Sequence, residues 1–209
     1  MAPRRSLTGT RPGPLRGAIL LAGLLVVSAP ARAHGTADVG DFYGGLFQPL
    51  FHPEFLLGAL AMALWSTQQE ERGALGTCGG FAAGVTIGSA ASVLGVAGEA
   101  SAWGPRLCML GVGTLVATRV RLPTAACATL ATLGGLAQGH AGTSSELAQL
   151  QRPVLWTLGL GLGAGLLGAY ANAATRRFRA VWMQVGVRVA GSWIAAIGLL
   201  ASVMAGRGR

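Results

Sequence analysis

Residues 45–65 read GLFQPLFHPEFLLGALAMALW. Two prolines, Pro49 and Pro53, and the polar residues Gln48, His52 and Glu54 stand at the head of an otherwise apolar run. In water these residues would open an amphipathic helix. In a bilayer, where an intramembrane polar side chain is costly, they would mark a candidate ligand site. The surrounding solvent therefore decides the fold.

Composition favours lipid. The chain has 209 residues, of which 52% are hydrophobic and only 11% charged, with a mean hydropathy of +0.54. That is too apolar and too poorly charged for an ordinary soluble domain. Aromatic residues make up only 6%, while Gly reaches 34 residues, a balance suited to helices that pack closely in lipid through small side chains. The expectation is an all-α, polytopic membrane protein.

The formal charge of +9 suggests nucleic acid until the basic residues are located. All sixteen are Arg, and Arg4, Arg5, Arg11, Arg16 and Arg32 fall within the first 33 residues. Those residues follow the layout of a secretory signal peptide. A basic start precedes an apolar stretch from Gly17 to Ala29, and Ala31-Arg32-Ala33 forms an A-x-A cleavage site. Residues 1–33 are then the signal peptide and 34–209 the membrane domain, with the mature chain beginning at His34 on the outside. Removing five Arg and no acid lowers the net charge to +4, spread over short loops. No nucleic-acid-binding patch remains. A free amine beside the imidazole of His34 would be a chelating pair for Cu or Ni.

Cys78, Cys108 and Cys127 lie inside apolar segments, odd in number and without C-x-x-C spacing. They read as small buried hydrophobes rather than disulfide or Zn partners.

With about 20 apolar residues per helical crossing, six spans are expected: Phe42 to Thr67 interrupted by Pro49 and Pro53, Ala74 to Ala97, and Arg106 to Thr118, which is short unless it extends back through Trp103 and Pro105. The fourth follows Pro123 to Gly142, the fifth covers Pro153 to Ala174, and the sixth Val181 to Ala205. Pro123 and Pro153 suit first helical turns, where the missing N–H is not needed. With His34 outside, the inside loops carry Arg72, Arg119, Arg121, Arg176, Arg177 and Arg179. The outside segments carry Arg106, Arg152, Arg207 and Arg209, a modest bias of the expected sign.

Glycine spacing predicts tight helix contacts. Gly80, Gly84 and Gly88 form a double G-x-x-x-G, and Gly159, Gly161, Gly163 and Gly165 form two more. The same GLGLGAG run is no dinucleotide loop, because no strand precedes it.

Polar residues inside the spans are few: Gln48, His52 and Glu54 in the first, Gln138 and His140 in the fourth, Asn172 in the fifth and Arg188 in the sixth. Glu99 and Glu146 fall in outside loops. His52 as an N-cap and Pro53 at N1 predict a broken backbone between Gln48 and Glu54. The first span runs inward and the fourth outward, so the two polar groups should meet in the outer half of the bilayer, with His52 or Gln48 close to Gln138 or His140. Arg188 should lie near the inside end of the sixth span, snorkelling or paired with a carbonyl or Glu.

These features resemble the HupE/UreJ family of bacterial membrane proteins: His34 after a signal peptide, then DFYGGLFQPLFHPEFLLGALAMALW, six spans, and a last segment VRVAGSWIAAIGLLA. The resemblance implies nickel or cobalt uptake for hydrogenase or urease. That family's first span carries a His, five residues, then Asp-His; here the spacing holds Gln48 and Glu54-Phe55, with His52 at a new place. Its fourth span carries Phe-His-Gly, then Ala-His-Gly and a Glu; LAQGHAGTSSE offers Gln138, His140 and a displaced Glu146. The implied site, with no permanently bound cofactor, is a mixed N/O path for Ni2+ or Co2+ built from His52, Glu54, His140, Gln48 and Gln138, with His34 at the mature terminus. Amide and carboxylate oxygens are harder ligands than imidazole, so either specificity has changed or the chain is a divergent accessory protein that no longer moves metal. No ATP-binding loop or catalytic constellation is present, so an enzyme is not expected; the protein partner is unknown.

Overall fold

The computed structural model describes residues 40–96, 103–177 and 181–207. Among them every regular element is helical: α1 (Asp41–Phe51), α2 (Pro53–Thr67), α3 (Glu71–Val93), α4 (Trp103–Thr118), α5 (Thr124–Ser144), a single 3-10 turn (Leu147–Gln149), α6 (Pro153–Arg177) and α7 (Val181–Arg207). Among the described residues, three helices are long and apolar enough to cross a membrane: Glu71–Val93, Pro153–Thr175 and Trp182–Ala205. The described residues are thus all-helical, with helices of membrane-spanning length. Residues 1–39, which hold His34 and the expected cleavage site, together with Ala97, Glu99, Arg179 and Arg209, lie outside the described residues.

The first expected span is two helices. At His52 the backbone turns extended (φ −99°, ψ 110°), and Pro53 opens α2. A proline has no N–H to give, so Pro53 and Pro49 leave the carbonyls of Pro49 and Gly45 without their helical donors. The break is narrower than the residues suggest, because Gln48 to Phe51 stay helical with Pro49 inside α1. Pro123 likewise stands one place before its helix, as N-cap of α5, whereas Pro153 is the first residue of α6.

Glycines set the neighbours. A methyl at Gly80, Gly84 or Gly88 of α3 would run into the backbone carbonyls of Ala128, Thr132 and Leu136 on α5, and Gly135 and Gly139 return the contact against Phe81 and Val85. Residue numbers rise together, so α3 and α5 run parallel at backbone contact. On α6 two alternating pairs face two partners: Gly159 and Gly163 meet α1 at Phe42 and Leu46, while Gly161 and Gly165 meet α3 at Thr86 and Ala82. Helix α7 packs antiparallel on α4, where Gly113 lies against Ala195 and Gly198 against Arg106.

Between these pairs sits an apolar core that includes Phe55, Met62, Trp65, Phe81, Met109 and Leu160. At one end Trp65 Nε1 donates to Val120 O (3.1 Å), and Gln68 Nε2 to Val116 O (3.0 Å), satisfying carbonyls in and just after the last turn of α4. Arg188 is exposed at this same end, where its Nε donates to Ala117 O at 3.0 Å. That is the carbonyl pairing expected of it.

Candidate functional site

The opposite end gathers Gln48, His52, Glu54, Gln138 and His140 of the polar residues singled out in the sequence. Gln48 and Gln138 are buried, at 3% and 2% exposure, so each carboxamide must find partners within the protein. They do so reciprocally. Gln48 Nε2 on α1 lies 3.5 Å from Gly142 O on α5, and Gln138 Nε2 on α5 lies 3.4 Å from Glu54 O on α2. Gly142 is in the last turn of α5, where carbonyls lack helical donors, and Ser145 Oγ also donates to it at 3.0 Å. Small residues make the approach possible, since a methyl at Gly58 would occupy the place of Gln138 Nε2.

The broken first span and the end of the fourth therefore do meet, but through backbone carbonyls rather than through the side-chain pairs expected. His52 is exposed, and its Nε2 stands 3.9 Å from Glu146 Oε1 beyond the end of α5. Its own N–H donates to Gln48 O at 3.2 Å, and its carbonyl accepts from Leu56 at 2.8 Å. Glu54 turns its carboxylate to Arg106 on α4, Nε to Oε1 3.3 Å. Asp41 accepts the Arg152 backbone N–H, fixing the start of α1 to the start of α6.

His140 turns elsewhere. Its Nδ1 is 2.5 Å from Ser92 Oγ on α3 and 3.4 Å from Ser144 Oγ. Nearby, Thr143 Oγ1 donates to Ser89 Oγ (2.7 Å), which is 2.9 Å from Thr157 Oγ1, and Trp156 Nε1 donates to Thr143 Oγ1 (3.2 Å). This hydroxyl set joins α3, α5 and α6. Sequence reading passed over it because Ser and Thr are unremarkable one at a time; the signal was their spacing, with Ser89 and Ser92 on one helix face and Thr143 and Ser144 a turn from His140.

Among the described residues no three His, Cys, Asp or Glu side chains converge as a metal site. The polar end instead offers His52 with Glu146, Glu54 with Arg106, and two buried amides between them. A family model described as HupE / UreJ protein matches residues 22–201. The chain belongs to the HupE/UreJ family. No curated protein and no solved structure matches it. As a HupE/UreJ protein it is a membrane protein related to nickel and cobalt transport, from a family of transporters and accessory proteins rather than known enzymes.

Proposed function

We propose that this HupE/UreJ protein is a nickel or cobalt permease of the bacterial inner membrane, passing Ni2+ or Co2+ through the polar end at the α1–α2 break and the close of α5. The carrying observation is the reciprocal burial of Gln48 against α5 and Gln138 against α2. Uncompensated polar groups at membrane depth would cost several kcal/mol each, and this pairing keeps a polar seam there with His52 and Glu54 at its mouth. The ion would be handed between His52, Glu54, Gln48 and Gln138. His140 would join through Nε2, because Nδ1 is engaged by Ser92.

In this reading six crossings follow a cleaved signal peptide, with α1 and α2 together as the first and a free His34 outside. The alternating directions of the packed helices support it: α2 parallel to α4 and antiparallel to α5, α3 antiparallel to α6, and α4 antiparallel to α7. Intact-mass measurement of the membrane-purified protein tests the mature start, and retention of residues 1–33 would remove the His34 amine from any site.

The second reading is a divergent accessory protein that no longer moves metal. What favours it is that the ligand groups are already engaged, Glu54 by Arg106 and His52 by Glu146. Cellular nickel and cobalt accumulation with and without expression separates the two. A rise abolished by His52→Ala decides for transport; no change for either metal decides for the accessory role.

A further inference from the structure

Arg188 carries a charge that no described residue answers. It is exposed on α7, and its one described hydrogen bond, from Nε to Ala117 O at 3.0 Å, uses a single guanidinium N–H on a neutral carbonyl. Four N–H groups remain on the two Nη atoms. The ion pairs among the described residues, His52 with Glu146 and Arg106 with Glu54, lie at the opposite end of the helices. At the Arg188 end the described acids are Glu70 and Glu71, both exposed where α3 begins, and neither pairs with Arg72, Arg119, Arg121, Arg177 or Arg188.

Depth makes the missing counter-charge costly. Trp182, in the first turn of α7, is 71% exposed, and an indole placed this way suits the membrane–water interface. Six residues further on, Arg188 stands about 9 Å deeper along the helix axis. Its side chain leans back toward the start of α7, which brings the guanidinium over the last turn of α4. A charge held at that depth is stabilised only by a partner. The space for one is present. Between α4 and α7 lies a groove of about 360 Å³, lined by Ala117, Val185, Arg188, Val189 and Ser192. Val185 and Val189 are exposed, so the groove sets a cation at the edge of an apolar wall.

We propose that Arg188 binds the phosphate of one anionic phospholipid, whose acyl chain lies along Val185 and Val189 in the α4–α7 groove. The planar fork of a guanidinium matches phosphate oxygens, and a basic pocket between membrane helices selects anionic headgroups. A zwitterionic lipid would bring its own cation to a site already rich in arginine. A free phosphate would leave the valines uncovered. The site lies away from the polar end and does not draw on the nickel or cobalt reading.

The test is native mass spectrometry of the full chain, delipidated in detergent and titrated with phosphatidylglycerol, phosphatidylcholine or glycerol 1-phosphate. The wild type should hold one phosphatidylglycerol about fivefold more tightly than phosphatidylcholine, and glycerol 1-phosphate should not displace it. Arg188→Gln should weaken that lipid about tenfold, and Arg188→Lys, which keeps the charge without the fork, by less. Arg177→Gln removes an exposed arginine at the same end but outside the groove, and should leave binding unchanged. Val185→Trp fills the groove with Arg188 in place and should also weaken binding, which keeps the proposal testable if Arg188→Gln does not fold. Equal affinity for the two lipids, full binding in folded Arg188→Gln or in Val185→Trp, or an equal loss from Arg177→Gln would each overturn it. Displacement by glycerol 1-phosphate would overturn the lipid and leave only a phosphate contact.

Discussion

Gln138 and His140 stand two residues apart on α5 and serve different helices. About 200° of helical rotation separates them, which sends Gln138 to the carbonyl of Glu54 on α2 and His140 to the hydroxyl of Ser92 on α3. The α2 side is a seam of neutral amides against backbone carbonyls, with charged groups at its mouth. The α3 side is a set of hydroxyls around one imidazole, locked over a run of glycines. A polar residue inside a membrane helix can therefore be an ion's stopping place or a rivet between helices, and its neighbours decide which.

The largest effect is expected at Gly139, the residue between them. A side chain there runs into the Val85 carbonyl of α3, which is backbone and cannot swing away. Gly139→Val should destabilise the protein by about 3 kcal/mol or more, seen as lost yield from membranes and a lowered melting temperature in detergent. A variant that melts like the wild type would mean that α3 and α5 are not at backbone contact.

Gln138→Leu comes next. It keeps the volume but removes the donor to Glu54 O, and leaves Leu against Gly58. A loss of about 1–2 kcal/mol is expected, with nickel or cobalt accumulation falling if the amide seam carries the ion. Full accumulation in this variant would detach transport from the seam. His140→Leu should cost less, about 0.6 kcal/mol, because Ser92 Oγ still has Gly88 O at 3.2 Å. A larger loss from His140 than from Gln138 in the same melting assay would reverse the ranking of the two sides.

How much of this was legible beforehand varies by kind of feature. The glycine repeats on α3 and α6 were readable as contact faces, since spacing alone puts Gly80, Gly84 and Gly88 on one stripe. Their partners were not readable: one-dimensional spacing says nothing of which helix lies opposite, and the answering pair Gly135 and Gly139 was passed over. The break at His52 followed from Pro53, whose missing N–H acts locally, while Pro49 stays inside a helix whose Gly45 packs against Trp156 of α6, a partner that local sequence does not name. The meeting of the first span with the end of the fourth followed from alternating direction. That Cys108 of α4 and Met62 of α2 would both face Gly134 of α5 depended on the rotation of three helices about their own axes, which no single stretch of residues encodes.

The smallest stability effect is expected at the mouth of the seam, and its smallness is useful. His52 and Glu146 are 3.9 Å apart, with the imidazole about half exposed, so water screens the pair and two mobile side chains lose entropy in making it. Exposed pairs of this kind contribute about 0.2–1 kcal/mol, and this separation is at the loose limit, so a double-mutant cycle of His52→Ala with Glu146→Gln should give a coupling near the bottom of that range. His52 is also a cap without a side-chain hydrogen bond, so the helix start depends on Pro53 and on the backbone bonds of residue 52, which alanine keeps. His52→Ala should therefore fold and insert like the wild type. If it does so and nickel accumulation still collapses, the loss belongs to the missing imidazole nitrogen and not to a damaged fold. If the coupling instead exceeds about 2 kcal/mol, beyond what a screened pair supplies, His52 is a structural link between α2 and the end of α5, and the accessory reading gains at the permease's expense.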